Sequence, residues 1–126
     1  NMQEGIYRAV IGRYYYYTFL KIRNIILFYD ENNSTSLNGM GAHGLILSYL
    51  NALDDILGLD GELQDIAKGL GELRNLRNDA DYKTNKEITI DDVNRAKGWV
   101  EYIETSLKSI EFEGKVGFED ILDYIK

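Results

Sequence analysis

Arg74, Arg77, Asn78, Asp81 and Tyr82 fall within residues 74–82, the densest group of chemically capable side chains in the sequence. Arg77 and Asp81 are spaced i,i+4, so on a helix they meet on one face. A guanidinium cannot shed its charge, and its planar fork of donors matches phosphate and carboxylate oxygens. With Leu73 as the centre of the local apolar stripe, Arg77 lies about 40° and Asp81 about 80° from it. The guanidinium is therefore aimed near a core and needs a partner. Two readings follow. Arg77 and Asp81 form an internal pair that fixes packing, or Arg77 binds a phosphate, oriented by Asp81 and flanked by Asn78 and by Arg74, which sits at the stripe's edge within reach of solvent.

His43 is the single histidine, and no other side chain here has an ordinary pKa near 7. On its helix it lies about 60° from the centre of the apolar face, which suits either a helix-start residue or a proton carrier. Tyr82 is a weaker proton donor at that pH, since phenol titrates near 10; its alternative role is to pack its ring and tie down the loop that follows. The absence of cysteine excludes thiolate metal sites and disulfides, and one histidine leaves little for zinc. Asp54 with Asp55, and Asp91 with Asp92, read as solvated faces or caps. No metal or other cofactor is expected. The patterns GxxxxGK[ST], HExxH and GxSxG are missing, and Asn38-Gly39-Met40-Gly41 has no strand before it to make a phosphate loop. Metal, serine-hydrolase and redox chemistry are accordingly not expected.

The elements that must position these residues are helical. There is no proline, and Leu and Ile recur at three-to-four spacing. A first helix over 4–29 has a stripe of Tyr7, Ile11, Tyr15, Phe19, Ile22 and Ile26. Residues 30–41 are loop chemistry. A second helix over 42–57 turns Ile46, Tyr49, Leu50, Leu53 and Leu57 inward. Gly58 and Gly61 bracket a short connection to a third helix over 62–81, with Leu63, Ile66, Leu70, Leu73 and Leu76 inward and Gly69 and Gly71 in its interior. Residues 83–88 form a polar loop. Thr89 with Asp92 resembles a capping box and opens a fourth helix whose stripe is Val93, Ala96, Val100, Ile103, Leu107 and Ile110. Gly114 reads as a stop, and 118–125 as a short C-terminal helix. The fold class expected is all-α: an antiparallel up-and-down four-helix bundle with a short C-terminal helix, in one domain over 2–126.

The formal charge of −7 argues against a general polyanion binder. The imbalance is uneven, with Arg8, Arg13, Lys21 and Arg23 standing against Glu4 and Asp30 in residues 1–30. An anion-facing surface should therefore involve the first helix together with Arg74 and Arg77. No apolar run approaches the roughly 20 residues that span a bilayer, and no signal pattern opens the chain. A cytoplasmic protein that does not engage a membrane is expected.

Three stretches, RYYYYTFLKIRNIILF (13–28), AHGLILSYL (42–50) and RNDADYKTNKEITIDDVNRAKGWVEYIETSL (77–107), together resemble the HEPN domain (higher eukaryotes and prokaryotes nucleotide-binding) in its small prokaryotic branch. The matching positions are Arg13, Tyr15, Tyr16 and Phe19, then His43, Gly44 and Ile46 in a slightly shifted form, then Arg77, Ala80, Asp81 and Tyr82 in the R-x-x-A-D-Y pattern. The resemblance covers roughly residues 5–110. It implies a helical bundle, usually a homodimer, whose cleft binds RNA or a nucleotide, and often a minimal nucleotidyltransferase partner in a toxin-antitoxin or defence-like system. Ribonucleases of that family carry R-x(4 to 6)-H, in which arginine holds the phosphate and histidine moves the proton of the attacking 2′-hydroxyl. Here Tyr82, Lys83 and Thr84 follow Arg77 where that histidine would stand. Standard ribonuclease activity is therefore not expected; the alternatives are a divergent metal-independent ribonuclease using Arg77 with His43 or Tyr82, and a purely structural interaction domain.

Tyr14, Tyr15, Tyr16 and Tyr17 point in four directions on a helix, because successive residues turn by about 100°. Tyr15 is expected in the core. Tyr16 or Tyr17 is expected at a subunit contact near the Arg77 cleft, where an amphipathic ring packs its body and keeps its hydroxyl wet.

Overall fold

The computed structural model describes residues 1–29 and 41–112, and four helices make up the regular structure among them. They are α1 (Met2–Tyr29), α2 (Ala42–Leu57), α3 (Glu62–Tyr82) and α4 (Ile90–Phe112). They pack as an all-α four-helix bundle in which α3 touches each of the other three and shares its broadest contact with α1. The expected C-terminal helix over 118–125, the stop at Gly114 and most of the 30–41 loop lie outside the described residues.

Cross-helix contacts fix the directions. Arg8 reaches the carbonyls of Ala80 and Lys83, while Tyr15 lies against Arg77, so α1 and α3 run antiparallel. Glu4 meets Ile88 and Lys21 meets Glu104, so α1 and α4 run the same way. Asp54 near the end of α2 binds the start of α3, whereas His43 at the start of α2 meets Tyr15 beside Arg77, so α2 opposes α3. The alternation expected from the sequence therefore holds along α2, α3 and α4. Its first step differs: α1 and α2 point the same way, since both run opposite to α3. One descending helix, α3, thus touches three ascending ones and gathers side chains from all of them.

The inward faces follow the apolar spacing. Ile11, Tyr15, Ile22 and Ile26 of α1, Ile46 and Leu50 of α2, Leu63, Ile66, Leu70 and Leu73 of α3, and Val93, Ala96, Val100, Ile103 and Leu107 of α4 are all buried in one cluster. Two further members come from connections. Leu59 sits between α2 and α3, and Ile88 closes the stretch expected to be a polar loop. A single buried side chain in such a loop anchors it to the core and leaves its polar neighbours in water.

Three local devices hold the ends. Asp54 is buried and its carboxylate accepts the backbone N–H groups of Gly61, Leu63 and Gln64 at 2.8, 2.7 and 3.3 Å, so α3 is capped from the preceding helix. Asp92 accepts from the Thr89 N–H at 2.9 Å at the start of α4. At Gly69 the α3 backbone comes so near α4 that an added Cβ would stand 3.1 Å from Trp99 and 3.3 Å from Ile103. Gly69 therefore serves close helix packing, which offsets its intrinsic helix cost of about 1 kcal/mol.

Candidate functional site

The last turns of α3 are held by α1. The guanidinium of Arg8 donates to the carbonyls of Ala80 at 2.7 Å and of Asp79 and Lys83 at 3.3 Å, and also to Lys86. Carbonyls at a helix C-terminus have no intrahelical donor, and a cation there also suits the helix dipole. Glu4 accepts from Arg8 at 2.9 Å and from the Ile88 N–H at 3.1 Å. Asp79 pairs with Lys83 at 2.8 Å and Lys86 at 2.6 Å, and these hydrogen bonds, Lys83's first, hold its carboxyl below the usual range. The α3 end that carries Arg77, Asp81 and Tyr82 is thereby clamped to α1.

Two of the α1 cations expected at an anion-facing surface are engaged elsewhere. Arg8 is committed to carbonyls and Glu4, and Lys21 to Glu104 at 3.2 Å and the Tyr17 hydroxyl at 2.7 Å. What α1 brings beside Arg77 is an aromatic ring. Tyr15 is buried, with its ring centroid 5.5 Å from the Arg77 guanidinium carbon. Its hydroxyl is 3.0 Å from Nδ1 of His43 on the first turn of α2. Tyr15 therefore joins α1, α2 and α3 at one point.

Around it the sequence-predicted residues take their places. Arg77 donates through Nε to Asp81 at 2.9 Å, and both side chains are about one-third exposed, at 30% and 36%. A pair so open to water is not the fully buried lock that a purely internal role would give. The Tyr82 ring centroid is 5.7 Å from the same guanidinium carbon, and Tyr82 is 69% exposed. The guanidinium thus lies against two aromatic rings, at distances where a cation is attracted by the ring face. Arg74, one turn earlier, is exposed and has no ion-pair partner among the described residues. Its charge acts on both Tyr15 and His43. Asn78 is half-buried on the same helix and makes no hydrogen bond to this group among the described residues.

The electrostatics follow from burial and these cations. Burial, and after it the Arg74 charge, lowers the His43 pKa from the ordinary 6.5 to about 4. The imidazole is then neutral at pH 7. Burial raises the Tyr15 pKa against the opposing pull of Arg74 and Arg77, so the phenol keeps its proton. A neutral imidazole with so low a pKa is a poor base at neutral pH. It remains a good hydrogen-bonding group, near enough to Arg74 to feel its charge and bonded to Tyr15, whose ring Arg77 covers. The N-terminus of α2, which starts behind Gly41 without a side-chain cap, adds the positive end of a helix dipole next to His43.

Tyr15 is the member that sequence reasoning missed. It was legible as a core residue, and its burial agrees. What the apolar stripe hides is the hydroxyl, which faces the one histidine; the only signal is that a buried tyrosine needs a polar partner. Among the described residues no cluster of histidine, aspartate and glutamate suited to a metal ion occurs, and no helix is long and apolar enough to cross a membrane. Tyr16 and Tyr17, expected near the Arg77 cleft, instead lie outside this group because the helical turn carries them onto other sides of α1 than Tyr15, where they are 58% and 51% exposed.

No family model matches the chain, and no solved structure matches it. Among curated proteins it is 32% identical over 136 residues to the uncharacterized protein MJ0992 of Methanocaldococcus jannaschii, across 98% of this chain and 77% of that one. It is also 32% identical over 91 residues to the uncharacterized protein MJ0628 of the same organism, across 66% of this chain and 53% of that one. On the extent of the first of these matches, the chain belongs to the family of the Methanocaldococcus jannaschii protein MJ0992.

Proposed function

We propose that this chain is a HEPN-like nucleotide- or RNA-binding module whose phosphate site is the Arg77 cluster. The observation that carries the reading is the convergence on Tyr15 of Arg77 and Arg74 from α3 and of His43 from α2, with the Tyr82 ring against the same Arg77 guanidinium. Arg77 is oriented by Asp81 and keeps its terminal nitrogens available, which suits a phosphate oxygen better than a permanent partner. Arg74 supplies a second cation, and the exposed Tyr82 ring offers a surface on which a base can stack. Specific recognition of this kind needs few cations, so it is compatible with the acidic balance of the chain.

The module works as a homodimer, with Tyr16 and Tyr17 at the subunit contact and a nucleotidyltransferase-type partner in a toxin-antitoxin or defence-like setting. The exposure of both rings, away from the Arg77 group, supports the first part, and the resemblance supports the second. The second reading, a divergent metal-independent ribonuclease, draws on a specific observation: His43 shares Tyr15 with Arg77. Its lowered pKa weighs against a proton-accepting role at neutral pH. Incubation of labelled RNA with the protein in excess chelator separates the two. Retention of uncut RNA by the wild type, lost in Arg77→Ala, is the result expected; cutting that vanishes in both Arg77→Ala and His43→Ala would replace binding with catalysis.

A further inference from the structure

The Tyr15–His43 contact constrains which ring nitrogen of His43 carries its proton. The Tyr15 side chain is buried, and among the described residues its hydroxyl has the His43 Nδ1 as its sole hydrogen-bond partner, at 3.0 Å. A phenol carries one proton that must go to an acceptor, and a neutral imidazole has one donor and one acceptor nitrogen. If Nδ1 were protonated it would donate to the phenol oxygen, and the buried phenol proton would be left without an acceptor. If Nδ1 is the acceptor, both groups are satisfied. Buried donors are rarely left unpaired, and the hydrogen bond made at one ring nitrogen sets the state of the other.

We infer that Tyr15 is a positioning residue that holds His43 as the Nε2–H tautomer, so that the imidazole offers a hydrogen-bond donor to an anionic oxygen beside Arg74 and Arg77. This rests on the phosphate-site reading above and deepens it. The site then presents three donor groups to its ligand, two guanidinium groups and one imidazole N–H, with the Asp81 carboxylate engaged by Arg77 Nε, and a bare phosphate oxygen is the ligand chemistry that uses all three. The same geometry explains how a binding module differs from a nuclease built on similar residues. With Nε2 protonated, no free imidazole nitrogen remains to take the proton of a 2′-hydroxyl.

Because His43 is the single histidine, long-range proton–nitrogen spectra of protein labelled with ¹⁵N-histidine report it without assignment ambiguity. In the wild type at pH 7 the spectrum is expected to show Nε2 protonated and Nδ1 as an accepting nitrogen. Tyr15→Phe keeps the ring against Arg77 and removes the hydroxyl; the Nδ1 resonance should then move and the share of the Nδ1–H form should rise. Inorganic phosphate should shift the wild-type Nε2–H signal, with an affinity roughly fivefold lower in Tyr15→Phe, the size of effect expected for losing a well-placed neutral hydrogen bond. A wild-type spectrum dominated by Nδ1–H overturns the inference without any variant. So does a Tyr15→Phe protein whose helical circular dichroism is intact and whose Nδ1 resonance is unmoved. If the tautomer is as inferred but phosphate shifts nothing and Arg77→Ala changes nothing, the phosphate-site reading fails and the tautomer assignment stands.

Discussion

At the residue scale, His43 makes the most direct claim on chemistry, because its neutrality at pH 7 follows from its surroundings. Its folded pKa of about 4 lies below the ordinary 6.5. Between those values the unfolded chain binds a proton that the folded chain declines, so stability should fall as pH drops from about 6.5 towards 4. Glu4, Asp79 and Asp92 also have lowered folded pKa values from ordinary ones of 4.5, 3.8 and 3.8, so their contributions are lost at still lower pH. Urea unfolding at pH 6.5 and pH 5 therefore isolates His43. The wild type should lose stability over that interval, and His43→Gln should lose distinctly less; parallel curves for the two proteins would show that His43 is not buried as described. The residue types of this site were legible in the sequence, since Arg74, Arg77 and Asp81 stand out by charge, His43 as the single histidine, and Tyr82 by its place beside them in 74–82. The geometry was not. Helical projection placed Tyr15 in the core correctly but gave no way to see that its hydroxyl meets a residue on another helix. Nor could it show that Arg8 spends its donors on carbonyls near the end of α3.

At the scale of elements, the helices and their inward faces were readable because period and composition agree over long stretches. What escaped the pattern lies at ends and connections. Asp54, which reads equally as a solvated face or a cap, caps the helix after its own. Removing its carboxylate in Asp54→Ala leaves three amides short of an acceptor and should cost about 1–3 kcal/mol, read as a lower urea midpoint at unchanged slope. Ile88 looked polar by association with its neighbours and is buried. Gly69, which carries an intrinsic helix cost in α3, is where Trp99 and Ile103 of α4 pack close to the backbone. In Gly69→Ala the helix-propensity gain of about 1 kcal/mol competes with overpacking of about 1–3 kcal/mol against Trp99 and Ile103. Overpacking should win, because Ile103 is itself buried and has little room to yield. A lower melting temperature than wild type is the expected readout; Gly71→Ala, where an added Cβ meets nothing within 4 Å, should instead match or exceed the wild type.

At the scale of the whole molecule, the bundle uses α3 as a common wall, so that one helix collects Tyr15 from α1 and His43 from α2 beside its own arginines. The direction of α2 was the part of the topology not readable from sequence, since a connection as long as 30–40 permits either sense. Away from that site, α1 exposes Met2, Ile6, Tyr16 and Tyr17, with the exposed Arg13 between them in sequence. If Tyr16 and Tyr17 join two subunits, sedimentation at micromolar concentration should show a dimer, and Tyr16→Ser with Tyr17→Ser should weaken it by more than tenfold, as loss of interface tyrosines commonly does. A wild-type monomer would remove the dimer from the account and leave the Arg77 site untouched. The central claim is that this site recognises a phosphate, and its most direct measurement is the dissociation constant of a 5′-phosphorylated RNA oligonucleotide for wild type and Arg77→Ala. Loss of charge-assisted hydrogen bonds worth about 1.5–3 kcal/mol predicts an affinity at least tenfold lower in the variant; equal affinities in two folded proteins would contradict the assignment.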